Sequence, residues 1–217
     1  FPGTSAGDPY AIHQVDELSD MVLVYEELTR RLGLDHPSIV GQSFGGMLAA
    51  EVAAAYPALP GKVVLLDPVG LWRDDAPVVN PAALAPQALP EVLFKDPNGP
   101  AAQAMLALPD DPDAAVAAQA AMMWALGATA KFTWPIIDRG LGNRLHRIAA
   151  PTLIVWGRDD ALAPVAYADE FATRIPHSRV AIVDDCGHIP QVEQFGQTAA
   201  LVEEFLTGHT APAAQPV

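Results

Sequence analysis

The residues with the clearest chemical potential are a serine, an aspartate and a histidine that each follow a predicted strand. Ser43 follows the first strand, Asp160 or its neighbour Asp159 the third, and His188 the fourth. A serine hydroxyl is a poor nucleophile until a base takes its proton, and a histidine that titrates near neutral pH can take and return it. A carboxylate fixes the histidine tautomer and stabilises the imidazolium. These residue types, each at the end of a predicted strand, indicate nucleophilic catalysis by Ser43.

Ser43 stands in a Gly-x-Ser-x-Gly spacing, which is typical of a sharp turn between a strand and a helix. Residues 37–40 have the character of a short strand, and residues 47–56 strongly favour a helix. Such a turn exposes the serine hydroxyl, and small residues two positions before and after it allow strand and helix to pass closely. The helix N-terminus also offers N–H groups to a developing oxyanion. The alternative interpretation of the motif alone is an ordinary glycine-rich turn.

Four predicted strands position these residues. They are apolar runs at residues 38–41, 62–67, 152–156 and 179–183, and apolar character on both faces is typical of parallel strands. Helices are predicted around them at residues 17–32, 47–56, 164–175 and 197–206. The alternation predicts an α/β fold, with a mostly parallel sheet and flanking helices on both faces. Such sheets bind their ligands at the carboxyl ends of the strands, where the three polar residues lie.

Residues 72–147 differ from the rest of the chain, because they are rich in alanine and proline and contain no clear strand. Helices are predicted there at residues 81–89, 101–108, 114–130 and 137–147. We therefore expect a core of residues 1–71 and 148–217 with a helical insertion between its two parts. Large apolar side chains late in the insertion are expected to pack it onto the core, with one or two of them facing a substrate pocket. The candidates for the pocket are Met123, Trp124, Phe132 and Trp134.

The bulk composition limits the classes of function. The net charge of −14 disfavours a nucleic-acid or anionic-membrane partner. The single cysteine, Cys186, cannot form an internal disulfide and fits a reducing compartment. No signal peptide or transmembrane segment is evident in the sequence, so a cytoplasmic location is expected, although a signal upstream of Phe1 stays open. The histidines are scattered and no cluster has metal-ligand spacing, so neither a metal nor another cofactor is expected.

Other residues could carry parts of the same chemistry. Asp67 and Asp159 each end a strand and are alternatives to Asp160 as the acid. Cys186 lies near His188, but it precedes the histidine on one loop and lacks a sharp turn, so a structural thiol is the favoured interpretation. The remaining histidines lack the strand-end Gly-His context and are expected to be surface or packing residues. They are His13, His36, His146, His177 and His209.

Three stretches carry a resemblance to a known family: residues 41–46, 151–164 and 186–193. They are similar to the cap-bearing branch of the α/β-hydrolase superfamily, whose pattern Gly-x-x-Asp-x-x-x-Pro places the acid three residues after the glycine. The resemblance implies Asp160, rather than Asp159, as the acid, and its Gly-His motif implies His188 as the base. It also implies the α/β-hydrolase fold, of which this chain has the C-terminal part, with residues 72–147 as the helical cap.

The chain departs from that family at its beginning, because members have further strands before the loop that residues 1–5 resemble. Those strands include the neighbour of the Ser43 strand, which would otherwise have an exposed apolar edge. The absent part also includes a loop that gives one N–H of the oxyanion hole, the other being that of Phe44. We therefore expect the natural protein to be longer, and this chain to be a fragment, a processed product or half of a split enzyme. Besides a small acyl substrate, the expected partners are the missing N-terminal segment or, as a homo-oligomer, further copies of the chain.

Three functions follow as alternatives. The first is a serine hydrolase that cleaves a small, largely apolar ester through an acyl-enzyme. The second is a carbon–carbon bond hydrolase resembling those that cleave meta-ring-fission products, to which residues 157–160 and 186–188 are similar but residues 189–192 are not. The third is a non-catalytic binding protein with a hydrolase fold. The missing half of the oxyanion hole favours the third, and the intact set of serine, aspartate and histidine disfavours it.

Overall fold

The computed structural model describes residues 2, 4, 7–135 and 137–208. Within these ranges the chain forms one sheet of four parallel strands, which lie side by side in the order of the sequence. The strands are β1 Ser38–Gln42, β2 Lys62–Leu66, β3 Thr152–Gly157 and β4 Ser178–Val183. The predicted strands and the predicted α/β fold class are therefore confirmed.

Eight α-helices accompany these strands in the described ranges. They are α1 Leu18–Arg31, α2 Phe44–Ala55, α3 Leu89–Leu93, α4 Pro100–Leu106, α5 Pro112–Thr133, α6 Ala166–Arg174, α7 Pro190–Glu193 and α8 Phe195–Thr207. The helix after the serine motif begins at Phe44 rather than at Met47, directly after Ser43. Residues 209–217, which include His209, lie outside the described residues. No helix in the described part of the chain is both long and apolar enough to cross a membrane.

The two central strands, β2 and β3, are buried on both faces, because alternate side chains of each strand enter two different apolar cores. Val63 and Leu65 of β2 belong to a core that also contains side chains of α2 and α6. Val64 and Leu66 of the same strand belong to a second core, against which α8 packs. All six residues of β3 are buried. Helices on both faces therefore hold the carboxyl ends of the strands, and the loops that follow them, in defined positions.

The chain between β2 and β3 is helical, as predicted for residues 72–147. Its described residues contain α3, α4 and α5 together with short 3₁₀ turns, and no strand. The longest helix, α5, begins at an Asp111 N-cap whose side chain accepts the Ala114 N–H, with Pro112 in the first turn. These signals lie outside the predicted range of 114–130, which explains why the observed helix is longer.

The predicted continuous helices at residues 81–89 and 137–147 are wrong. Prolines divide the first into the 3₁₀ turns Pro81–Ala83 and Pro86–Ala88, because a proline inside a helix removes a backbone hydrogen bond. In the second, Gly140 has a left-handed φ of 79°, and two 3₁₀ turns follow instead of a helix. Proline in the first stretch and glycine in the second therefore interrupt the helices predicted there.

β1 forms one edge of the described sheet, where it pairs with β2 and with no other strand. Val40 on this strand is 50% exposed. The preceding helix, α1, also exposes apolar side chains, including Leu23 and Leu28. The described sheet thus has the exposed apolar edge that the sequence predicts.

Candidate active site

The turn between β1 and α2 holds Ser43 in an uncommon backbone conformation. Its φ is 52° and its ψ is −118°, and a positive φ is rare for residues other than glycine. The Ser43 N–H donates to the Leu66 carbonyl at 2.9 Å, and the Ser43 carbonyl accepts the Met47 N–H at 3.0 Å. Such a conformation costs about 1–3 kcal/mol and persists only where the surroundings enforce it, as they do at active sites. The turn has the geometry that the Gly-x-Ser-x-Gly spacing predicts.

The glycines around Ser43 have unequal steric roles. A Cβ on Gly41 would lie 2.2 Å from the Gly45 carbonyl oxygen, and a Cβ on Gly46 would lie 2.9 Å from the Pro68 Cβ. A Cβ on Gly45 would meet no atom within 4 Å. The interpretation that both flanking residues of the motif must be small for close packing is therefore correct for Gly41 and wrong for Gly45. On the helix side, the close approach falls at Gly46.

Alanine substitutions at Gly41 and Gly45 should therefore differ sharply. We expect Gly41→Ala to lower the free energy of unfolding by about 3 kcal/mol, because β1 and α2 must move apart to admit the methyl group. Gly45→Ala is the matched control and should change that free energy by no more than about 0.5 kcal/mol. Urea unfolding followed by circular dichroism measures both. Equal losses in the two variants would contradict the steric explanation.

Ser43, Asp160 and His188 come together beyond the carboxyl ends of the strands. The His188 Nε2 lies 2.7 Å from the Ser43 Oγ, and the His188 Nδ1 lies 2.7 Å from the Asp160 Oδ2. His188 is 1% exposed and Asp160 is 6% exposed, whereas Ser43 is partly exposed. The imidazole thus links an accessible hydroxyl to a buried carboxyl group. This arrangement is suited to removal of the serine proton by a histidine that a carboxylate orients.

Asp160 is fixed by the backbone of its own loop. Its Oδ1 accepts the N–H groups of Leu162 and Ala163, at 2.8 and 2.9 Å. The neighbouring Asp159 is half-exposed and turns to Lys95 instead, with 3.0 Å between its Oδ2 and the lysine Nζ. Between the two aspartates, the geometry favours Asp160 as the partner of the histidine.

The histidine loop is held by contacts that the sequence did not indicate. The backbone N–H of His188 donates to the Leu93 carbonyl at 2.9 Å, and the Gln42 Nε2 donates to the His188 carbonyl at 2.9 Å. Glu193 accepts the backbone N–H of Lys95 at 2.8 Å. Gln42 lies within the serine motif, which is the one signal that could have found it. Leu93 and Lys95 act through their backbones, so their residue types carry no signal.

Two further buried groups lie near the histidine. Asp67, an alternative acid in the sequence, accepts the Gly157 N–H at 2.8 Å through its Oδ1. Burial raises the pKa of the Cys186 thiol far above its usual value, so the thiol stays protonated, as a structural cysteine does. Asp67, Asp160 and His188 each place one donor atom within 4.8 Å of the others, a spacing that could hold a metal ion. Both carboxylate oxygens of Asp160 already take part in hydrogen bonds, with the imidazole and with backbone N–H groups.

The predicted pocket residues fall into different environments. Phe132 is buried and its ring stacks on that of Phe44, with the centroids 5.9 Å apart. Met123 and Trp124 line a largely apolar cavity of about 580 Å³ between α5 and the 3₁₀ turn at residues 9–14. Trp134 is 54% exposed. The stacking places Phe132 against the residue that follows Ser43. The four other described histidines are exposed, as expected; they are His13, His36, His146 and His177.

Comparison with known proteins finds relatives that carry hydrolase names. The 2-hydroxy-6-oxo-6-phenylhexa-2,4-dienoate hydrolase of Burkholderia cepacia is 28% identical over 188 residues, which cover 81% of this chain and 64% of that protein. The pimeloyl-acyl-carrier-protein methyl ester esterase of Aromatoleum aromaticum is 30% identical over 191 residues, which cover 80% of this chain and 75% of that protein. This chain therefore spans less than two thirds of the length of the Burkholderia protein.

The fold is also found among solved structures. The meta-cleavage product hydrolase of Pseudomonas fluorescens IP01 superposes with a TM-score of 0.69 at 22% identity, over 88% of this chain and 72% of that one. At this level of identity the likeness shows the fold alone. A family model described as the alpha/beta hydrolase fold matches residues 3–195, which is most of the chain. The chain belongs to the alpha/beta hydrolase fold family.

Proposed function

We propose that this chain carries the catalytic residues of a serine hydrolase, with Ser43 as nucleophile, His188 as general base and Asp160 as the acid that orients it. The observation that carries the proposal is the unbroken series of hydrogen bonds from the Ser43 Oγ through the imidazole to the Asp160 carboxyl group, 2.7 Å at each step. The strained backbone at Ser43 supports it, because such strain is retained where function requires it. Hydrolase and esterase names among the relatives point to the same class.

The proposed reaction proceeds in two halves. The His188 Nε2 takes the hydroxyl proton of Ser43 as the Oγ bonds to the substrate carbonyl carbon, which produces a tetrahedral oxyanion. The imidazolium returns that proton to the leaving group, and an acyl group remains on Ser43. Water then repeats the sequence, with His188 taking its proton and giving it back to the serine. Asp160, held by two backbone N–H groups, orients the imidazole and stabilises the imidazolium that forms.

The oxyanion needs N–H donors in the position where its charge develops. We assign one of them to the Phe44 N–H, at the first residue of α2, where the helix dipole also favours negative charge. We propose that the second donor comes from a segment that covers the open edge of β1. That segment is either an N-terminal part of the same protein or another copy of the chain.

A small, largely apolar ester is the proposed substrate, with residues 72–147 as a cap over the site. The stacked rings of Phe44 and Phe132, next to Ser43, favour an apolar acyl group. A largely apolar cavity also lies along α5, the helix that carries Phe132. The methyl ester esterase among the relatives fits this proposal. Carbon–carbon bond hydrolysis is the second candidate, because the Burkholderia relative is named as a dienoate hydrolase.

A direct competition of substrates separates these candidates. We expect a panel of p-nitrophenyl esters to be cleaved by the full-length protein with a higher kcat/KM than a vinylogous 1,5-diketone. The panel also reports the preferred length of the acyl chain. The reverse order would favour carbon–carbon bond hydrolysis. A folded full-length protein that cleaves neither, and that a fluorophosphonate does not label, would contradict both catalytic proposals and favour the binding-protein alternative.

A further inference from the structure

Asp67 is a buried carboxyl group to which the proposed mechanism gives no task. It follows β2 directly, is 0% exposed and has a positive φ of 43°. Its Oδ1 accepts the Gly157 N–H at 2.8 Å, whereas its Oδ2 has no hydrogen-bond partner in the described structure. Buried polar atoms almost always have a partner, so an unpartnered carboxyl oxygen calls for an explanation.

The Asp67 side chain lies beside the acid–base pair. One carboxylate oxygen of Asp67, one carboxylate oxygen of Asp160 and one ring nitrogen of His188 all lie within 4.8 Å of one another. Both oxygens of the Asp160 carboxylate already accept hydrogen bonds, which come from Leu162, Ala163 and the imidazole. A second ionised carboxylate at this separation, also buried, would be strongly repelled.

The surroundings of Asp67 determine whether its carboxyl group is protonated or ionised. Burial, and then the negative charge of Asp160, raise the pKa of Asp67 well above that of an ordinary aspartate. Glu193 also faces this region and raises the pKa further, whereas one backbone N–H lowers it. The buried Cys186 thiol nearby keeps its proton, so it carries no charge that could stabilise an ionised Asp67. These influences favour the protonated form of Asp67, and its Oδ2, which accepts no hydrogen bond, is the atom available to carry the proton.

We propose that Asp67 is a positioning residue, a neutral carboxyl group that donates a hydrogen bond toward the Asp160 carboxylate. This hydrogen bond reduces the negative charge that Asp160 presents to His188, so the imidazolium is less stabilised. The imidazolium then loses its proton at a lower pH, and the imidazole serves as a base over a wider pH range. The proton stays on Asp67 throughout, and no bond to the substrate involves it. The inference rests on the proposed function, since it concerns the same base.

The pH dependence of Ser43 labelling by an uncharged fluorophosphonate tests the role directly in the full-length protein. The acid limb of the labelling rate reports the ionisation of His188, because only the neutral imidazole activates the serine. Asp67→Ala removes the donor, and we expect the acid limb to move to higher pH by about 0.5–1 unit. Asp67→Asn retains an N–H donor toward Asp160 and an acceptor for the Gly157 N–H. Its acid limb should stay within about 0.2 units of the wild type.

The direction in which the acid limb moves distinguishes a neutral Asp67 from an ionised one. If Asp67 were ionised, both substitutions would remove a negative charge near His188, and both acid limbs would move to lower pH. That result would overturn the proposal, as would an unshifted limb in Asp67→Ala. A wild-type protein that is folded but not labelled at any pH would overturn the proposed function and the role of Asp67 together.

Stability provides a second test that does not depend on the folding of Asp67→Ala. A carboxyl group whose pKa is raised by folding stabilises the protein fully below its unfolded pKa, and that contribution is lost as the pH rises toward the folded pKa. Asp67→Asn needs no proton. Its urea midpoint relative to the wild type should therefore rise between about pH 5 and pH 8. A difference between the two proteins that does not change with pH would overturn the neutral state of Asp67.

Discussion

Replacement of Ser43 by alanine should abolish labelling by a fluorophosphonate and lower kcat/KM by about 10⁶-fold, the scale of effect when a nucleophile is removed from such a set. The reason lies in the geometry, since the Ser43 Oγ is the atom 2.7 Å from the His188 Nε2. Without it the base has no proton to remove. Intact-protein mass spectrometry detects the labelling, and steady-state hydrolysis of a p-nitrophenyl ester gives kcat/KM.

Ser38→Ala is the matched control for this substitution. Ser38 begins β1, the strand that leads to Ser43, and is exposed. We expect this variant to be labelled at the wild-type rate and to hydrolyse the ester normally. Thermal unfolding of both variants shows whether the fold is retained. If the Ser43→Ala protein is folded and still labelled at the wild-type rate, another residue is the nucleophile.

Asp160→Asn should lower kcat/KM by about 10⁴-fold without loss of the fold. The Leu162 and Ala163 N–H groups both donate to the Oδ1, so they would hold the amide oxygen of an asparagine in that position. The amide NH₂ would then face the His188 Nδ1. This would turn Nδ1 into an acceptor and leave the proton on Nε2, which could no longer accept the proton of the serine. Ester hydrolysis measures the loss, and circular dichroism confirms the fold.

Asp159→Asn is the control, because it makes the same chemical change at the adjacent residue. Asp159 forms an ion pair with Lys95, in which both side chains are about 40% exposed (40% and 39%). Exposed pairs of this kind contribute about 0–1 kcal/mol. We therefore expect kcat/KM to stay within about threefold of the wild type. A greater loss in Asp159→Asn than in Asp160→Asn would reassign the acid.

The strands, their order and the turn at Ser43 could be predicted because local patterns specify them. The apolar runs of β2 and β3 are continuous, and the helix-favouring run after Ser43 begins where the strand ends. Parallel pairing then places their carboxyl ends on one side of the sheet. The choice between Asp159 and Asp160 does not follow from the residues alone. It depends on which carboxyl group receives backbone N–H donors and which one meets a lysine from the insertion.

Other features depend on contacts between distant parts of the chain. The steric demand falls on Gly41 and Gly46 rather than on Gly45, and this is decided by how α2 leaves the turn against Pro68. The charge of Asp67 follows from burial beside Asp160, which lies 93 positions later in the sequence (160 minus 67). The broken helix at residues 137–147 is by contrast a local effect, because Gly140 lies within the stretch and takes a left-handed φ.

The hydrogen bond from the His188 backbone N–H to the Leu93 carbonyl has a consequence for exchange of the helical insertion between relatives. A chimera that replaced residues 72–147 as one block would also replace the backbone against which the histidine loop rests. A crossover placed after Lys95 would retain both the Leu93 carbonyl and the Lys95 N–H that Glu193 accepts. Ala102 of α4 also packs with Ile189, the residue after His188, so a crossover placed after α4 would retain this part of the support of the histidine loop as well.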